Sequence, residues 1–233
     1  MIVYVSEVMS GSEVAAHLGF SDRRVRALID SGQLPGHQIA GRWVVPAEAV
    51  SSFLSRSAGR PMAERSAWSV MSRLAGEDVQ IPSRLRDRLG LLEDAPFPHL
   101  RLLAWMSARG QLFRAWAFRP VIDDLSVDDR LILSGEHGAQ NLAPSDHLHA
   151  YVAAADLDRV VNDHNLRAAA GGKLPNVFLW AVANPDAIPR RPDNPHIAAD
   201  VVSAMDLLDD GDPRAVGEAS DIIARTLRSA RVR

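Results

Sequence analysis

The chain has 233 residues, of which 47% are hydrophobic, and its formal net charge at pH 7 is −3. This length is enough for one small module and one larger domain with its own core, and the charge argues against a protein that coats nucleic acid by charge alone. The absence of cysteine excludes disulfides and thiolate metal sites. Because the sequence shows no secretory leader and no run of about 18 apolar residues, we expect a cytoplasmic protein that does not span a membrane.

The first part of the chain has the pattern of two short helices joined by a tight turn. The spacing predicts helices over residues 12–18 and 21–31, with the turn at Gly19-Phe20. Ser21 is a natural N-cap for the second helix, and Gly32 follows that helix where a glycine is favoured. Apolar residues recur three and four positions apart in both segments, so the two helices are expected to pack together as a helix-turn-helix unit.

A β-hairpin is predicted directly after the helix pair. Its strands are His37–Ile39 and Arg42–Val45, and Ala40-Gly41 is the turn between them. Pro46 is expected in the first turn of the next helix, over Ala47–Phe53, because proline lacks only an N–H group that this turn leaves unused.

This order of elements resembles the MerR-like winged helix-turn-helix of the excisionase family. The residues that carry the resemblance are Gly32, Leu34, Pro35, Gly41, Arg42, Trp43 and Pro46. The resemblance covers about 45 residues and implies a DNA-binding domain, with the second helix in the major groove and the hairpin as its wing.

Arginines at the start of the second helix are the main candidates for DNA contact. Arg23 and Arg24 are expected to meet DNA first, and Asp22 or Arg26 to tune the choice of base, because arginine can form two hydrogen bonds with guanine or with a phosphate. The full set of predicted DNA-binding residues is Ser21, Asp22, Arg23, Arg24, Arg26, His37, Arg42 and Trp43. The alternative is that these arginines only solvate a surface helix.

The domain boundary is predicted at a short segment of small and polar residues. Residues 1–56 form the winged helix-turn-helix domain, 57–61 the linker, and 62–233 a larger mixed α/β domain for regulation and dimerisation, so the fold class is α+β. In this larger domain the patterns predict helices over 62–76, 83–94, 98–108, 120–125, 156–164, 198–208 and 213–228. They predict strands over 111–118, 130–133, 151–152 and 176–183, and loops over 168–175 and 185–195.

Residues 134–228 resemble the C-terminal region of AbiEi-type antitoxins from type IV toxin–antitoxin systems. The most distinctive matching residues are Asp206-Leu207-Leu208 and Asp210-Gly211-Asp212-Pro213-Arg214. The resemblance implies an antitoxin that represses its own operon and is paired with a nucleotidyltransferase-like toxin. The N-terminal module departs from the pattern, since these antitoxins commonly begin with a different winged helix. From the residues alone, Asp212 caps the last helix, and Arg214 is placed to pair with Asp210 or Asp206.

No catalytic, cofactor or metal site can be assembled from the sequence. Gly171-Gly172-Lys173 lacks the glycine and the hydroxyl residue of a phosphate loop, since Arg167 and Leu174 stand there. His147 and His149 share a strand face without a carboxylate at metal-ligand spacing. We therefore expect no enzyme, no cofactor and no metal.

The sequence predicts a sequence-specific transcriptional regulator that binds double-stranded operator DNA as a homodimer. Its expected role is that of an autorepressing antitoxin in an AbiE-like operon. Two alternatives remain: a DNA-bending accessory factor similar to an excisionase, and an antitoxin that acts mainly by binding its toxin.

Overall fold

A computed structural model gives the fold. It describes residues 8–18, 21–32, 34–39, 41–47, 49–50, 53, 60–93, 98–137, 146–169, 174–210 and 213–231. The chain divides into two compact units, one of residues 1–61 with 90–105 and one of residues 62–89 with 106–233. The turn at Gly19-Phe20, linker residues 57–59 and the cap Asp212 lie outside the described residues, and the domain boundaries of the sequence analysis stay predictions.

The first unit begins with two helices and a small antiparallel sheet. Its elements are β1 (Val8–Ser10), α1 (Gly11–Leu18), α2 (Asp22–Asp30), β2 (His37–Ile39) and β3 (Arg42–Pro46), and the strand order is β1-β3-β2. The fully or almost fully buried side chains at its centre are Val14, Val25, Leu28, Leu34, Val45 and Val50. The predicted helix pair and hairpin are confirmed.

The position of Pro46 differs from the prediction. Pro46 ends β3 and pairs with Val8, instead of opening a helix. The pairing of β3 with β2 stops at Val44, so the missing N–H group of Pro46 removes no hydrogen bond on that side. Residues 47, 49, 50 and 53 are helical, in agreement with the predicted helix after it.

The second unit is built on a seven-stranded mixed sheet with the strand order β7-β4-β8-β6-β5-β10-β9. The strands are β4 (Gln111–Trp116), β5 (Ile132–Ser134), β6 (Leu148–Ala153), β7 (Arg167–Ala168), β8 (Val177–Val182), β9 (Arg190–Arg191) and β10 (Asn194–Ala198). Strand β6 runs parallel to β8, and β10 runs parallel to β5, while the other pairs are antiparallel.

Helices cover both faces of this sheet. The helices that follow the hairpin in the chain are α3 (Glu64–Ala75), α4 (Ser83–Glu93), α5 (Pro98–Met106), α6 (Arg119–Leu125), α7 (Leu157–Asp163), α8 (Asp200–Asp210) and α9 (Pro213–Arg231). The division between the units falls within α4 and α5, and α5 belongs to the first unit up to Trp105. Helices α6 and α7 pack on the face that carries Ala115, Ala150 and Leu179. Side chains from α3 and α8 contact Tyr151, which points to the opposite face.

Two predicted loops contain strands. The segment 168–175 starts inside β7, and the segment 185–195 contains β9 and the start of β10. The prolines of the second loop fit because β9 lies at the sheet edge and its pairing with β10 is irregular between Asn194 and Ala198, so Pro195 interrupts no regular ladder. The strand predicted over 111–118 ends at Trp116, since Phe118 is the N-cap residue of α6. Among the described helices, none is long and apolar enough to cross a bilayer.

Candidate nucleic-acid interface

Helix α2 presents a charged surface because its apolar residues all lie on one side. Val25, Leu28 and Ile29 are buried, and every other residue of the helix is exposed. Successive residues are about 100° apart around a helix, which places Arg23 opposite the buried side. By the same geometry Arg24 lies on one flank, and Asp22 and Arg26 lie together on the other flank.

Both ends of α2 are fixed by local hydrogen bonds. The Ser21 hydroxyl accepts the backbone N–H of Arg24 at 3.3 Å, which confirms Ser21 as the N-cap. At the other end Gly32 has φ of +70°, a conformation that favours glycine, and the Leu34 N–H reaches the Leu28 carbonyl at 3.0 Å. The start of α2, where the arginines lie, is therefore held in one position by its own cap.

The hairpin of β2 and β3 places a second arginine-bearing surface beside the helices. Ile39 pairs with Arg42 next to the turn, where Gly41 has φ of +78°. Trp43 pairs with Gln38 and is half-buried against the core of the first unit. Trp43 therefore supports the hairpin as a packing residue, in addition to its predicted role at DNA.

A groove joins α2 to the hairpin. It encloses about 320 Å³, and its lining includes Ser10, Ser12, Asp22, Arg26, Gly41, Arg42 and Trp43. The structure thus brings together Asp22, Arg26, Arg42 and Trp43 from the predicted set. Arg23, Arg24, His37 and Ser21 lie outside this groove, and the predicted order of contact among the arginines stays a prediction.

Sequence reasoning missed the start of α1, which forms one wall of the groove. The Ser10 N–H donates to the Glu13 carboxylate at 2.7 Å, and the Glu13 N–H donates to the Ser10 hydroxyl at 3.2 Å. This is a capping box, and the spacing Ser10-Gly11-Ser12-Glu13 is the signal that could have revealed it. The hydrogen bond from the Ser10 backbone lowers the pKa of Glu13.

The arginines of this surface are available to a ligand. Arg23, Arg24, Arg26 and Arg42 are exposed, and none of them forms an ion pair within the part of the chain that the structure describes. Each guanidinium group presents donors in a planar fork that fits a phosphate or the edge of a guanine. The arrangement can therefore bind an anionic, hydrogen-bond-accepting polymer such as DNA.

The second unit contains a buried charge cluster that the sequence analysis missed. The fully buried Arg109 donates to Tyr151 Oη at 3.0 Å and Asp206 Oδ1 at 2.7 Å, and it also pairs with Asp209. Its guanidinium carbon lies 3.8 Å from the centre of the Trp180 ring. Asp206 thus pairs with Arg109, and no local pattern links residues so far apart in the chain. The side chain of Arg214 lies outside the described part of the structure, so its predicted pairing stays a prediction.

Burial and the neighbouring groups shift the pKa values of two members of this cluster, Arg109 and Tyr151. Burial lowers the pKa of Arg109, but Tyr151, Asp209 and Asp206 together hold it above its ordinary value. Burial raises the pKa of the Tyr151 hydroxyl, which donates to Asp206 at 2.9 Å. The cluster therefore joins Arg109, the Tyr151 hydroxyl and two aspartates of α8 in mutual contact, an arrangement that ties α8 to the sheet.

The histidines considered as metal ligands have other surroundings. His149 is stacked on Phe178 with a ring distance of 4.5 Å, and His147 lies 6.1 Å from the same ring. In the described residues, no group of three or more His, Asp or Glu side chains is placed to hold a metal ion. Gly171-Gly172-Lys173 lies outside the described residues.

Comparison with known proteins bears on the first unit. Residues 8–58 match the family model of the helix-turn-helix domain, which confirms that part of the prediction and assigns the segment to a class of DNA-binding domains. Neither the curated proteins nor the solved structures contain a match to the chain. The resemblance of residues 134–228 to AbiEi-type antitoxins stays a prediction.

Proposed function

We propose that the protein is a sequence-specific transcriptional regulator that binds double-stranded DNA through a winged helix-turn-helix. The observation that carries the proposal is the groove between α2 and the hairpin, where Arg26 and Arg42 lie exposed and without an ion pair among the described residues. In this arrangement α2 enters the major groove and the hairpin contacts the neighbouring backbone.

The charges favour specific recognition over general attraction. With a formal net charge of −3 for the whole chain, binding depends on a few positioned arginines. A homodimer would double these contacts on two half-sites about 34–36 Å apart. Arg23, Arg24 and Arg26 are then the residues that choose bases, while Arg42 holds a phosphate.

We further propose that the regulator is an antitoxin that represses its own operon. The support is the resemblance of residues 134–228 to AbiEi-type antitoxins, which implies a nucleotidyltransferase-like toxin as partner. Within the resembling segment, Asp206 is a fully buried residue with two hydrogen-bonded partners, so this residue has a structural reason to be an aspartate.

The test is a gel shift on the DNA upstream of the protein's own gene, with competitor DNA and a series of salt concentrations. We expect a discrete complex that resists competitor. The double variant Arg23→Ala, Arg24→Ala should abolish specific binding without unfolding the protein. Arg26→Ala should weaken it about 5- to 150-fold if Arg26 contacts a base, and Arg42→Ala should reduce the salt dependence by about 0.9 in log–log slope.

Arg159→Ala is the matched control, because this exposed arginine lies on α7 in the second unit. Unchanged affinity in all arginine variants of the first unit would overturn the proposed DNA contact. For the antitoxin role, a promoter–reporter fusion should be repressed by the protein, and the toxin encoded beside it should co-purify. A reporter that does not respond, together with no co-purified toxin, would contradict that role.

A further inference from the structure

One end of the large sheet carries two rows of alternating aromatic and basic side chains. In the first row Arg114 pairs with Phe178, and Phe178 pairs with His149. In the second row Arg167 pairs with Trp116. Side chains two residues apart in a strand point to the same face, so Arg114 and Trp116 place both rows on one face. These five residues define what we call the aromatic–arginine patch.

The patch is separate from the buried charge cluster on the same face. The preceding row, in which Leu112 pairs with Trp180 and Trp180 with Tyr151, is covered by Arg109 and by side chains from α3 and α8. The aromatic–arginine patch reaches the surface instead. Arg114 and Arg167 are exposed, and Trp116 and Phe178 are half-buried.

The aromatic rings of the patch are held in fixed orientations. The His149 ring stacks on the Phe178 ring, with the two ring planes 8° from parallel. Phe118, which is 67% exposed, meets Trp116 edge to face at 4.4 Å. A cavity of about 530 Å³ opens beside Trp116 and Phe118 and is lined further by Val121 and Leu166.

The charges of the patch complement a phosphate backbone. Neither Arg114 nor Arg167 forms an ion pair within the described ranges, and neither row contains an acidic residue. Cross-strand neighbours lie about 5 Å apart, so each guanidinium group can reach the phosphate of a base stacked on the adjacent ring. Aromatic rings beside arginines are the surface that binds single strands in other proteins, because every base has a face that stacks.

We propose that the aromatic–arginine patch is a binding site for single-stranded nucleic acid, distinct from the helix-turn-helix. Trp116 and Phe178 each stack one base, and Arg114 and Arg167 bind the phosphates. Trp116 and Phe178 lie diagonally across neighbouring strands, where residue positions are about 7–8 Å apart. Bases in a duplex are stacked at about 3.4 Å, so only an unstacked single strand places two bases on these two rings.

The test uses the full chain with the Arg23→Ala, Arg24→Ala background, so that duplex binding by the first unit is removed. The probes are fluorescein-labelled oligouridine and oligothymidine of about 12 nucleotides, and the readouts are anisotropy and tryptophan fluorescence. We expect binding with quenched fluorescence, and a blunt duplex of the same length should compete poorly. Trp116→Ala should weaken binding about 5- to 150-fold, and Trp116→Phe should restore most of it.

The arginines are tested by salt dependence. Arg114→Ala with Arg167→Ala should lower the slope of log affinity against log salt by about 1.4, since each lost phosphate contact removes about 0.7. Arg159→Ala, on the opposite side of the sheet, should change nothing, and circular dichroism should show that all variants are folded. Absence of binding by the parent protein, or equal affinity of the parent and Trp116→Ala, would overturn the proposal. Neither result would affect the proposed operator binding, which uses different residues.

Discussion

Replacement of Arg109 by methionine is the most informative test of how the second unit is held together. The side chains of Arg109 and Asp206 are both completely buried. Methionine fills a similar volume but leaves the carboxyl group of Asp206 in the interior, where the Tyr151 hydroxyl is its one remaining hydrogen-bond partner among the described residues. A buried carboxylate that loses its cation is the costly outcome, because its desolvation is no longer offset by an attraction.

The expected loss follows from the burial of the partners. Breaking a buried ion pair by removing one member costs about 3–5 kcal/mol, whereas an exposed pair contributes about 0–1 kcal/mol. For a unit of this size, 1 kcal/mol corresponds to about 2–4 °C in the midpoint of thermal unfolding, so Arg109→Met should lower that midpoint by roughly 6–20 °C. Arg119→Met is a matched control, since Arg119 also binds two carboxylates but has a 51% exposed side chain.

The assay is urea unfolding followed by tryptophan fluorescence, because Trp180 stacks directly on Arg109 and reports on the cluster. The double variant Arg109→Met, Asp206→Leu should lose less stability than the sum of the two single variants, since it removes both charges. An Arg109→Met protein within about 1 kcal/mol of the parent would refute the reasoning, and so would strictly additive losses in the double variant.

Three further predictions concern single residues. Ser21→Ala removes the hydroxyl that accepts the Arg24 N–H and should destabilise the first unit by about 1 kcal/mol in urea unfolding; an unchanged midpoint would contradict the capping role. The Cβ atom of Gly41→Ala would meet no neighbouring atom within 4 Å, but alanine must adopt φ of +78° there, so the variant should cost about 1–2 kcal/mol from backbone strain alone; equal stability would disprove the assigned turn. Hydrogen bonds from Arg130 hold the pKa of Asp128 well below its ordinary value, so the contribution of Asp128 to the free energy of unfolding is present above about pH 4 and is lost as the pH falls further. Asp128→Asn should therefore be less stable at neutral pH and should lose less stability between about pH 4 and lower pH. Parallel curves of stability against pH for the variant and the parent would argue against this role.

The first unit could be predicted well because its signals are local. The cap Ser21, the glycine at 32 and the buried Val25 and Leu28 are all set by spacing within a few residues. Pro46 was misplaced because proline suits both a helix start and a strand end, and only the pairing with Val8 decides between them. The groove at Arg26 and Arg42 joins segments that the sequence presents separately, so its residues could be named but not grouped.

The second unit was harder to predict because its decisive contacts are distant in sequence. Strand β8 was predicted from its apolar run, but nothing local shows that it lies between β4 and β6. Strand β7 has only two residues, which is too short for an alternating pattern to indicate a strand. Arg109 comes directly after the predicted helix 98–108, and no neighbouring residue in the sequence indicates that it is buried. Its burial depends on Tyr151 and Asp206, which lie in later parts of the chain.

The strand order also dictates when each part of the chain can fold during synthesis. The central strand β8 separates β4 from β6, so β4 has no long partner until residues 177–182 have left the ribosome. The contacts of β1 to β3 with α1 and α2 all lie between residues 8 and 46, which favours early and rapid folding. We therefore expect the helix-turn-helix to fold on the nascent chain at a stage when β4, which contains Phe113, is not yet paired with β8. A chaperone would therefore bind the unpaired strand β4 and not the helix-turn-helix.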